Sequence, residues 1–99
     1  MTIEKKMNGS ELEIALEGRL DTMTSPELEA ELNQSLAGAD SLTFDFSKLE
    51  YISSAGLRVL LSAHKAMSSK SGMKVTHVNE IVEEVFEVTG FADILNIVK

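Results

Sequence analysis

The chain is 99 residues long, which fits one domain, and its 43% hydrophobic and 25% charged residues are ordinary for a globular fold. Its net charge of -7 argues against binding nucleic acid through phosphate contacts, because such binding needs a basic surface. The sequence contains no cysteine, which excludes disulfides, zinc–thiolate sites and thiol catalysis.

No part of the sequence has the pattern of a targeting or membrane segment. The N-terminal stretch MTIEKKMNGS contains no apolar core of signal-peptide length. No apolar run elsewhere approaches the length of a membrane span. We therefore expect a single domain over residues 1–99 in the cytoplasm, with an acidic surface that suits a basic patch on a protein partner.

The first part of the chain predicts a β-hairpin. Residues 1–7 form a short strand, and polar and apolar side chains alternate over residues 11–17 as in a half-buried strand. Asn8-Gly9 between them is a strong turn signal, because both residues tolerate a positive φ. We expect the two strands to pair with each other.

A helix and a third strand follow the hairpin. Thr24-Ser25-Pro26-Glu27 indicates a helix start in which proline fits the first turn and Glu27 closes a capping box on Thr24. Leucines every four residues give this helix one apolar stripe, and Gly38 ends it. The next strand covers residues 42–46, and residues 47–52 connect it to a further helix. A strand, a helix and a strand in succession favour parallel pairing.

The longest predicted helix begins the second half of the chain. It runs from Ser54 to about Ser71, and Gly72 stands at a position where helices commonly end. Its apolar side contains Leu57, Leu60, Leu61, His64 and Met67. A strand over residues 73–77 follows this helix.

A capped helix and a short tail complete the pattern. Asn79 caps a helix over residues 80–89, and Gly90 ends it. The apolar side of this helix contains Ile81, Val82, Val85 and Val88. Residues 91–96 form a short helical turn, and the last residues add an edge strand. The whole pattern predicts an α/β fold, a small mixed sheet of four to five strands packed with about four helices.

Two adjacent serines, Ser53 and Ser54, stand at the start of the longest helix, within the stretch Tyr51–Leu61. Backbone N–H groups and the helix dipole favour negative charge at such a position. A serine there can cap the helix, act as a nucleophile or accept a phosphate group.

A nucleophilic serine and a metal site both find little support in the sequence. The strained turn of serine hydrolases needs a glycine two residues before the serine, and Ile52 occupies that position relative to Ser54. His64 lies almost three turns further along the same helix, and His77 lies on a strand among core-type residues. The two histidines and the carboxylates show no metal-ligand spacing.

Helix capping fits the two serines and is worth about 1 kcal/mol. Capping does not explain why two small residues, Ala55 and Gly56, follow the hydroxyls directly. Small residues leave room for another macromolecule to approach the helix start. The residues alone therefore leave a structural role and a partner-binding role both open.

The segment FDFSKLEYISSAGLRVLL resembles the signature of the STAS domain, the fold of bacterial anti-sigma factor antagonists. In that family an apolar strand ending in aspartate leads to Asp-Ser-Ser/Thr/Ala-Gly-Leu at a helix start, and the first serine of the motif is phosphorylated. The resemblance places the strand aspartate on Asp45 and the phosphoacceptor on Ser54. It places the glycine and the leucine of the motif on Gly56 and Leu57.

Two other segments extend the resemblance over nearly the whole chain. GRLDTMTSPELE resembles the family's Gly-x-Leu-Asp segment and places its aspartate on Asp21, and TGFADIL resembles the family's closing segment. The sequence departs from the family motif at Ser53, where the family often has aspartate. This departure removes a charge beside Ser54 and creates a second candidate phosphoacceptor. Ser54 remains the expected phosphoacceptor because Ser53 aligns with the family's aspartate, and capping is then expected mainly of Ser53.

The resemblance implies a protein that is a substrate and a switch, and not an enzyme. Its unmodified form would bind an anti-sigma factor that is also an ATP-dependent serine kinase, and this binding would free the sigma factor. Phosphorylation on Ser54 would switch binding off, and a PP2C-type phosphatase would reset the switch. Magnesium and ATP belong to the kinase, and manganese or magnesium to the phosphatase, so the chain itself needs no cofactor. The alternative is a STAS structural subunit of a transporter or signalling scaffold complex.

We expect the partner to dock around the start of the longest helix. Ser54, Arg58, Ser62 and Lys65 fall along one helix face, with Arg58 one turn from Ser54. For Ser62 and Lys65 an ordinary solvated face is an equal alternative. The expected partner-binding residues are Asp21, Met23, Thr24, Ser53, Ser54, Ala55, Gly56, Arg58, Ser62 and Lys65. The free domain is most simply a monomer that contacts neither nucleic acid nor a membrane.

Overall fold

The computed structural model describes residues 1–98 and contains a five-stranded sheet with three α-helices. The strands are β1 Thr2–Asn8, β2 Glu11–Leu20, β3 Ser41–Ile52, β4 Met73–Thr76 and β5 Asn96–Val98. The helices are α1 Ser25–Ser35, α2 Ser54–Met67 and α3 Glu80–Thr89, and 3₁₀ turns cover Leu36–Gly38 and Phe91–Asp93. The α/β prediction is confirmed. The helix count is three instead of about four, because the predicted helical turn over residues 91–96 is only a 3₁₀ turn.

The predicted hairpin is formed by β1 and β2. These strands pair antiparallel, from Thr2 opposite Glu17 to Asn8 opposite Glu11. Gly9 adopts a φ of 63° in the turn, in the left-handed region that glycine enters at little cost. The hairpin prediction is therefore confirmed.

The remaining strands pair in parallel in the order β2-β3-β4-β5, as the strand–helix–strand alternation predicts. β3 is longer than predicted, because residues 47–52 continue the strand along β2 instead of forming a connection. The pairing is interrupted by register shifts between Ala15 and Glu17 and between Gly18 and Arg19. Such irregularities break the period-two pattern that identifies a strand in the sequence. β5 is the predicted edge strand, and Lys99 lies outside the described residues.

One hydrophobic core lies between the sheet and the helices. Alternate residues of β3, namely Leu42, Phe44 and Phe46, are buried in a cluster to which all three helices contribute. Thr43 and Asp45 point away from this core and are half-buried. One face of β3 therefore belongs to the core, and the opposite face carries polar side chains.

α1 begins where the sequence predicts, but without the predicted capping box. Thr24 occupies the N-cap position and makes no side-chain cap hydrogen bond. Its Oγ1 donates to the Arg19 carbonyl at 2.7 Å and accepts the Asp21 N–H at 2.9 Å. The capping-box prediction is wrong because the hydroxyl closes the turn that precedes the helix. The regular helix ends at Ser35, before Gly38.

The ends of α2 and α3 follow local signals. α2 ends at Met67, earlier than the predicted Ser71, and Gly72 donates its N–H to the Met67 carbonyl at 3.1 Å. The Asn79 side chain accepts the Val82 N–H at 2.8 Å and so caps α3 as predicted. Gly90 ends α3 in the left-handed conformation, which is also as predicted.

The predicted apolar side of α3 is partly wrong. Val82 and Phe86 are fully buried, whereas Ile81 and Val88 are 60% and 76% exposed. Val82 and Phe86 are four residues apart, so they share the helix face that packs into the core. The core therefore takes the one aromatic side chain of the helix and leaves two of the predicted residues at the surface.

Candidate functional site

The carboxyl ends of β2 and β3 meet at the predicted site. Leu20 and Ile52 pair in register at the two strand ends, and the Ser53 N–H donates to the Leu20 carbonyl at 2.9 Å. α2 begins at the next residue, Ser54. The turn that follows β2 and the first turn of α2 are therefore neighbours, although they are distant in the sequence.

The two adjacent serines have different environments. Ser53 is the half-buried N-cap of α2, and its Oγ accepts the Gly56 N–H at 3.5 Å. An aspartate could accept the same hydrogen bond, so the departure from the family motif at this position preserves the cap. Ser54 is the first residue of α2 and is exposed, and its hydroxyl makes no hydrogen bond within residues 1–98.

Gly56 lies below the surface, and not on it as the sequence led us to expect. The residue is buried, and an added Cβ would lie 2.8 Å from Leu20 Cγ and 2.9 Å from Ile52 Cγ1. The absence of a side chain therefore lets the first turn of α2 pack directly onto the ends of β2 and β3. Ala55 is half-buried beside it, and Leu57 belongs to the core.

Asp21 organises the turn between β2 and α1. Its Oδ1 accepts the backbone N–H groups of Met23 and Thr24 at 3.0 Å and 3.1 Å. The hydrogen bond from the Thr24 N–H is the main cause that lowers the pKa of the Asp21 carboxyl, and the bond from the Met23 N–H lowers it further. The charge of Arg19 makes a smaller contribution in the same direction. The side chain is therefore ionised at neutral pH. The turn also presents Met23, whose side chain is 84% exposed.

A shallow groove of about 400 Å³ separates the starts of α1 and α2. Its α2 wall is formed by Ala55, Arg58, Val59 and Ser62. Its other wall, which the sequence did not predict, is formed by Thr22, Ser25, Pro26 and Glu29. The sequence signal for that wall was the Ser25-Pro26 helix start. The polar pattern of a helix shows which residues face solvent, but it does not show which neighbouring helix they lie beside. Lys65 is exposed on α2 and does not line the groove.

Arg58 is the cation nearest to Ser54 along α2, and it is exposed. It takes part in none of the ion pairs found within residues 1–98, which join Lys5 to Glu31, Arg19 to Asp21 and His77 to Asp45. Its guanidinium is therefore available to an anion at the start of α2, one helical turn away.

Asp45 does not join the cluster at the strand ends. It lies inside β3, opposite Ala15 and Thr76, and its Oδ1 accepts the Ser47 N–H at 2.9 Å. That hydrogen bond is the main cause that lowers the pKa of the Asp45 carboxyl, and the nearby His77 contributes less. The His77 Nδ1 lies 3.5 Å from Asp45 Oδ1.

Neither histidine is hydrogen-bonded to Ser53 or Ser54 at the start of α2 in the part of the chain that the structure describes. Among the same residues, no group of three or more histidine and acidic side chains could hold a metal ion. No helix in the described part of the chain is long and apolar enough to cross a membrane.

Solved structures share this fold. An anti-sigma factor antagonist from Mycobacterium paratuberculosis matches with a TM-score of 0.88 at 21% identity, over 97% of this chain and 83% of that protein. The anti-sigma factor antagonist SpoIIAA matches in its unphosphorylated form with a TM-score of 0.77 at 15% identity, over 99% and 88% of the two chains. The phosphorylated form of SpoIIAA from Bacillus matches with a TM-score of 0.76 at 16% identity, over 99% and 92%.

Sequence comparison identifies the family. Residues 3–98 match the family model described as "Mlab, STAS domain". The "Putative anti-sigma factor antagonist BtrV" of Bordetella bronchiseptica is 37% identical over 81 residues, which are 80% of this chain and 70% of that protein. An anti-sigma-B factor antagonist of Staphylococcus epidermidis is 25% identical over 99 residues, 98% and 92% of the two chains. The chain therefore belongs to the STAS domain family, and its relatives include proteins named as anti-sigma factor antagonists.

Proposed function

We propose that this protein is a cytoplasmic anti-sigma factor antagonist whose binding is controlled by phosphorylation of Ser54. The unphosphorylated form binds an anti-sigma factor serine kinase and frees the sigma factor. The kinase transfers the γ-phosphoryl group of ATP to the Ser54 hydroxyl, which releases ADP and a proton, and binding then ceases. A PP2C-type phosphatase hydrolyses the phosphoserine and restores binding. In this scheme the protein is a substrate and a binding partner, and not an enzyme.

The exposed hydroxyl of Ser54 is the observation that carries this proposal. Ser53 is half-buried and its Oγ is occupied by the cap of α2, whereas the Ser54 hydroxyl is exposed and makes no hydrogen bond within residues 1–98. Modification of Ser54 therefore breaks no hydrogen bond within residues 1–98. The names of the relatives support the general role.

The start of α2 can accept the charge of a phosphate. Phosphorylation adds about -1.5 to -2 charge near neutral pH. The N–H groups and the dipole at a helix N-terminus favour such a charge by about 0.3–1 kcal/mol at an exposed position. Arg58 adds a free cation one turn away. The nearly equal TM-scores with unphosphorylated and phosphorylated SpoIIAA, 0.77 and 0.76, are consistent with a modification that leaves the fold unchanged.

The switch then acts at the interface instead of within the domain. The partner surface would meet Ser54 together with the turn that carries Asp21 and Met23. Asp21 is ionised at neutral pH, so a phosphate on Ser54 would place a second strong negative charge beside it. A closely packed or acidic partner surface would be repelled by that pair of charges. Met23, with 84% of its side chain exposed, would supply an apolar contact in the unmodified complex.

The proposal is tested by incubating the protein with ATP and a candidate anti-sigma factor serine kinase from the same genome, and mapping the phosphate by mass spectrometry. The matched variants are Ser53→Ala and Ser54→Ala, which remove one hydroxyl each. We expect label on Ser54 in the wild type and in Ser53→Ala, and none in Ser54→Ala. Label on Ser53 would overturn the site assignment. An unlabelled protein that still binds the kinase would favour the alternative role as a structural subunit.

A second measurement tests the effect of charge on binding. The Ser54→Ala and Ser54→Asp variants are compared for binding to the same kinase by calorimetry. We expect Ser54→Ala to bind like the unphosphorylated wild type and Ser54→Asp to bind at least about tenfold more weakly, which corresponds to about 1.4 kcal/mol. Equal binding by the two variants would contradict release by charge.

A further inference from the structure

α3 has two apolar sides: one is buried in the core, and the other is mostly exposed, although its middle residue, Val85, is packed partly against the core. Val82 and Phe86 are buried, whereas Ile81 and Val88 are 60% and 76% exposed. Ile81 and Val88 are seven residues apart and therefore lie on the same side of the helix, with the half-buried Val85 between them. We call Ile81, Val85 and Val88 the outer stripe of α3.

Exposed apolar side chains are concentrated in this part of the molecule. Six large hydrophobic side chains are exposed within residues 1–98, and four of them lie in residues 81–98: Ile81, Val88, Ile94 and Val98. Scattered exposed apolar residues need no explanation, but Ile81 and Val88 lie on one side of a single helix, and such a grouping indicates a binding surface. The other two, Met7 and Met23, belong to the hairpin and to the turn near Ser54.

The outer stripe is flanked by negative charge. Exposed Glu80, Glu84 and Glu87 recur at three- and four-residue spacing and form an acidic ridge along α3, next to the outer stripe. No lysine or arginine occurs in residues 80–98, which contain five acidic side chains. Most of the chain's net charge of -7 is therefore concentrated around one helix.

We propose that the outer stripe and the acidic ridge of α3 dock a basic amphipathic helix of a partner protein. The apolar side of such a helix would cover Ile81 and Val88, and its lysine or arginine side chains would lie along the glutamates. Docking would remove water from the apolar side of the partner helix, and the basic side chains along one edge of that helix would lie next to the glutamates of α3. This surface lies on α3, separate from the α1–α2 groove and the Ser54 turn, so the inference does not depend on the proposed function.

A second copy of the chain fits this surface poorly. In an antiparallel two-fold dimer through α3, the acidic ridge of one copy would run along the acidic ridge of the other. Like charges that are brought alongside each other oppose association, and no lysine or arginine in residues 80–98 offsets them. In a parallel two-fold dimer the two ridges would lie on opposite sides, and neither would meet a basic side chain of α3. The charge pattern therefore selects a basic partner over self-association.

The test uses the whole protein, labelled with ¹⁵N, and three synthetic helical peptides. The first is an amphipathic peptide of leucine, lysine and alanine. In the second, serine replaces every leucine, and in the third, glutamate replaces every lysine. We expect the first peptide to shift the amide signals of α3, and the other two to bind at least about tenfold more weakly, because each lacks half of the complementarity.

Matched variants decide where the peptide binds. We expect Ile81→Ser with Val88→Ser, and separately Glu84→Lys with Glu87→Lys, to weaken binding of the first peptide by about tenfold or more. Met7→Ser removes an exposed apolar side chain on β1, away from α3 and from the Ser54 turn, and should leave peptide binding unchanged. All of the substituted residues are exposed at the surface, so a native amide spectrum is expected for each variant.

Three results would overturn the inference. The first is equal affinity of the peptide for the wild type and both α3 variants. The second is a set of shifted amides that maps to β1, β2 or the Ser54 turn. The third is a wild-type dimer in sedimentation experiments that the Ile81→Ser, Val88→Ser variant abolishes, because the occupant would then be a second copy of the chain.

Discussion

Gly56 packs against Leu20 so closely that a single methyl group would not fit. The added Cβ would lie 2.8 Å from Leu20 Cγ, and Leu20 is fully buried. The atom in the way is the branch point of the leucine and not the end of a flexible side chain. The position of Ser53 and Ser54 therefore depends on the close packing of Gly56 against Leu20, which the absence of a side chain on Gly56 allows.

The first prediction concerns that contact. Gly56→Ala should destabilise the domain by about 1–2 kcal/mol, because overpacking outweighs the helix propensity gained by replacing glycine. Urea unfolding measures the change. Gly38→Ala is the control, since an added Cβ there meets no atom within 4 Å, and it should be neutral or stabilising. Equal stability of the two variants would show that Leu20 and Ile52 move aside freely.

The second prediction separates the two serines by their effect on stability. Ser53→Ala removes the cap of α2 and should cost about 0.5–1 kcal/mol, at the lower end for caps because the hydrogen bond to the Gly56 N–H is long at 3.5 Å. Ser53→Asp should retain wild-type stability. Ser54→Ala should stay within about 0.5 kcal/mol of the wild type. Thermal unfolding of the three variants measures these differences, and a larger loss for Ser54→Ala than for Ser53→Ala would contradict the division of roles.

The third prediction concerns Asn79, whose side chain joins two elements. Its Oδ1 accepts the Val82 N–H at the start of α3, and its Nδ2 donates to the Leu49 carbonyl of β3 at 2.7 Å. Asn79→Ala should cost about 2 kcal/mol, because it removes a cap and leaves a carbonyl group without its donor. Asn79→Ser keeps the cap and loses the donor, so it should fall between the wild type and Asn79→Ala in denaturant unfolding. Identical losses for the two variants would show that only one of the bonds contributes.

The fourth prediction concerns pH. Hydrogen bonding from the Ser47 N–H lowers the pKa of Asp45 in the folded state below its unfolded value near 3.9. Ionised Asp45 therefore stabilises the fold above about pH 4, and this contribution is lost as the pH falls through the folded pKa. Asp45→Asn should lower the urea midpoint at pH 7 and have a smaller effect at pH 3.

The control for this experiment is Asp40→Asn. The Asp40 carboxylate is exposed and makes no hydrogen bond within residues 1–98. The substitution should therefore change the midpoint little at either pH. If the Asp45→Asn effect were the same at pH 3 as at pH 7, the charge of Asp45 would not be the source of its contribution.

The fold could be predicted largely from local signals. Asn8-Gly9, Asn79 and Gly90 each determine a turn or a helix end through their own backbone preferences, and all three act as the sequence indicates. The alternation of strands and helices then leads to parallel pairing. Signals of this kind need no knowledge of distant residues, which is why they can be read from one sequence.

The sequence-based predictions fail where residues that are distant in the sequence determine the local structure. The Thr24 hydroxyl bonds the Arg19 carbonyl instead of capping α1, and that choice depends on how β2 ends. Phe86 is buried in the core and Val88 is exposed. The sequence did not predict this difference, because the side of α3 that packs against β3 is determined by the tertiary structure. Residues 47–52 extend β3 through irregular pairing with β2, which no period in the sequence indicates.

The candidate site shows the same division. The two serines could be placed at a helix start from the sequence, and the expectation that Ser53 is the main cap is confirmed. The exposure of the Ser54 hydroxyl could not be predicted, because it depends on how α2 packs onto the ends of β2 and β3. The wall of the groove formed by Pro26 and Glu29 also depends on how α1 packs beside α2.

The hydrogen bond from the Ser53 N–H to the Leu20 carbonyl joins the ends of β2 and β3. The surface around Ser54 therefore forms only when these two strands have paired. A partner that contacts both Met23 and Ser54 recognises two segments that come together only after β2 and β3 have paired. An unfolded or newly synthesised copy carries the same serine without the adjacent turn and without the helix N–H groups that hold a phosphate. If Ser54 is phosphorylated as we propose, a kinase that requires both segments would modify only folded copies. The phosphorylated fraction would then report the folded population and not the total amount of chain.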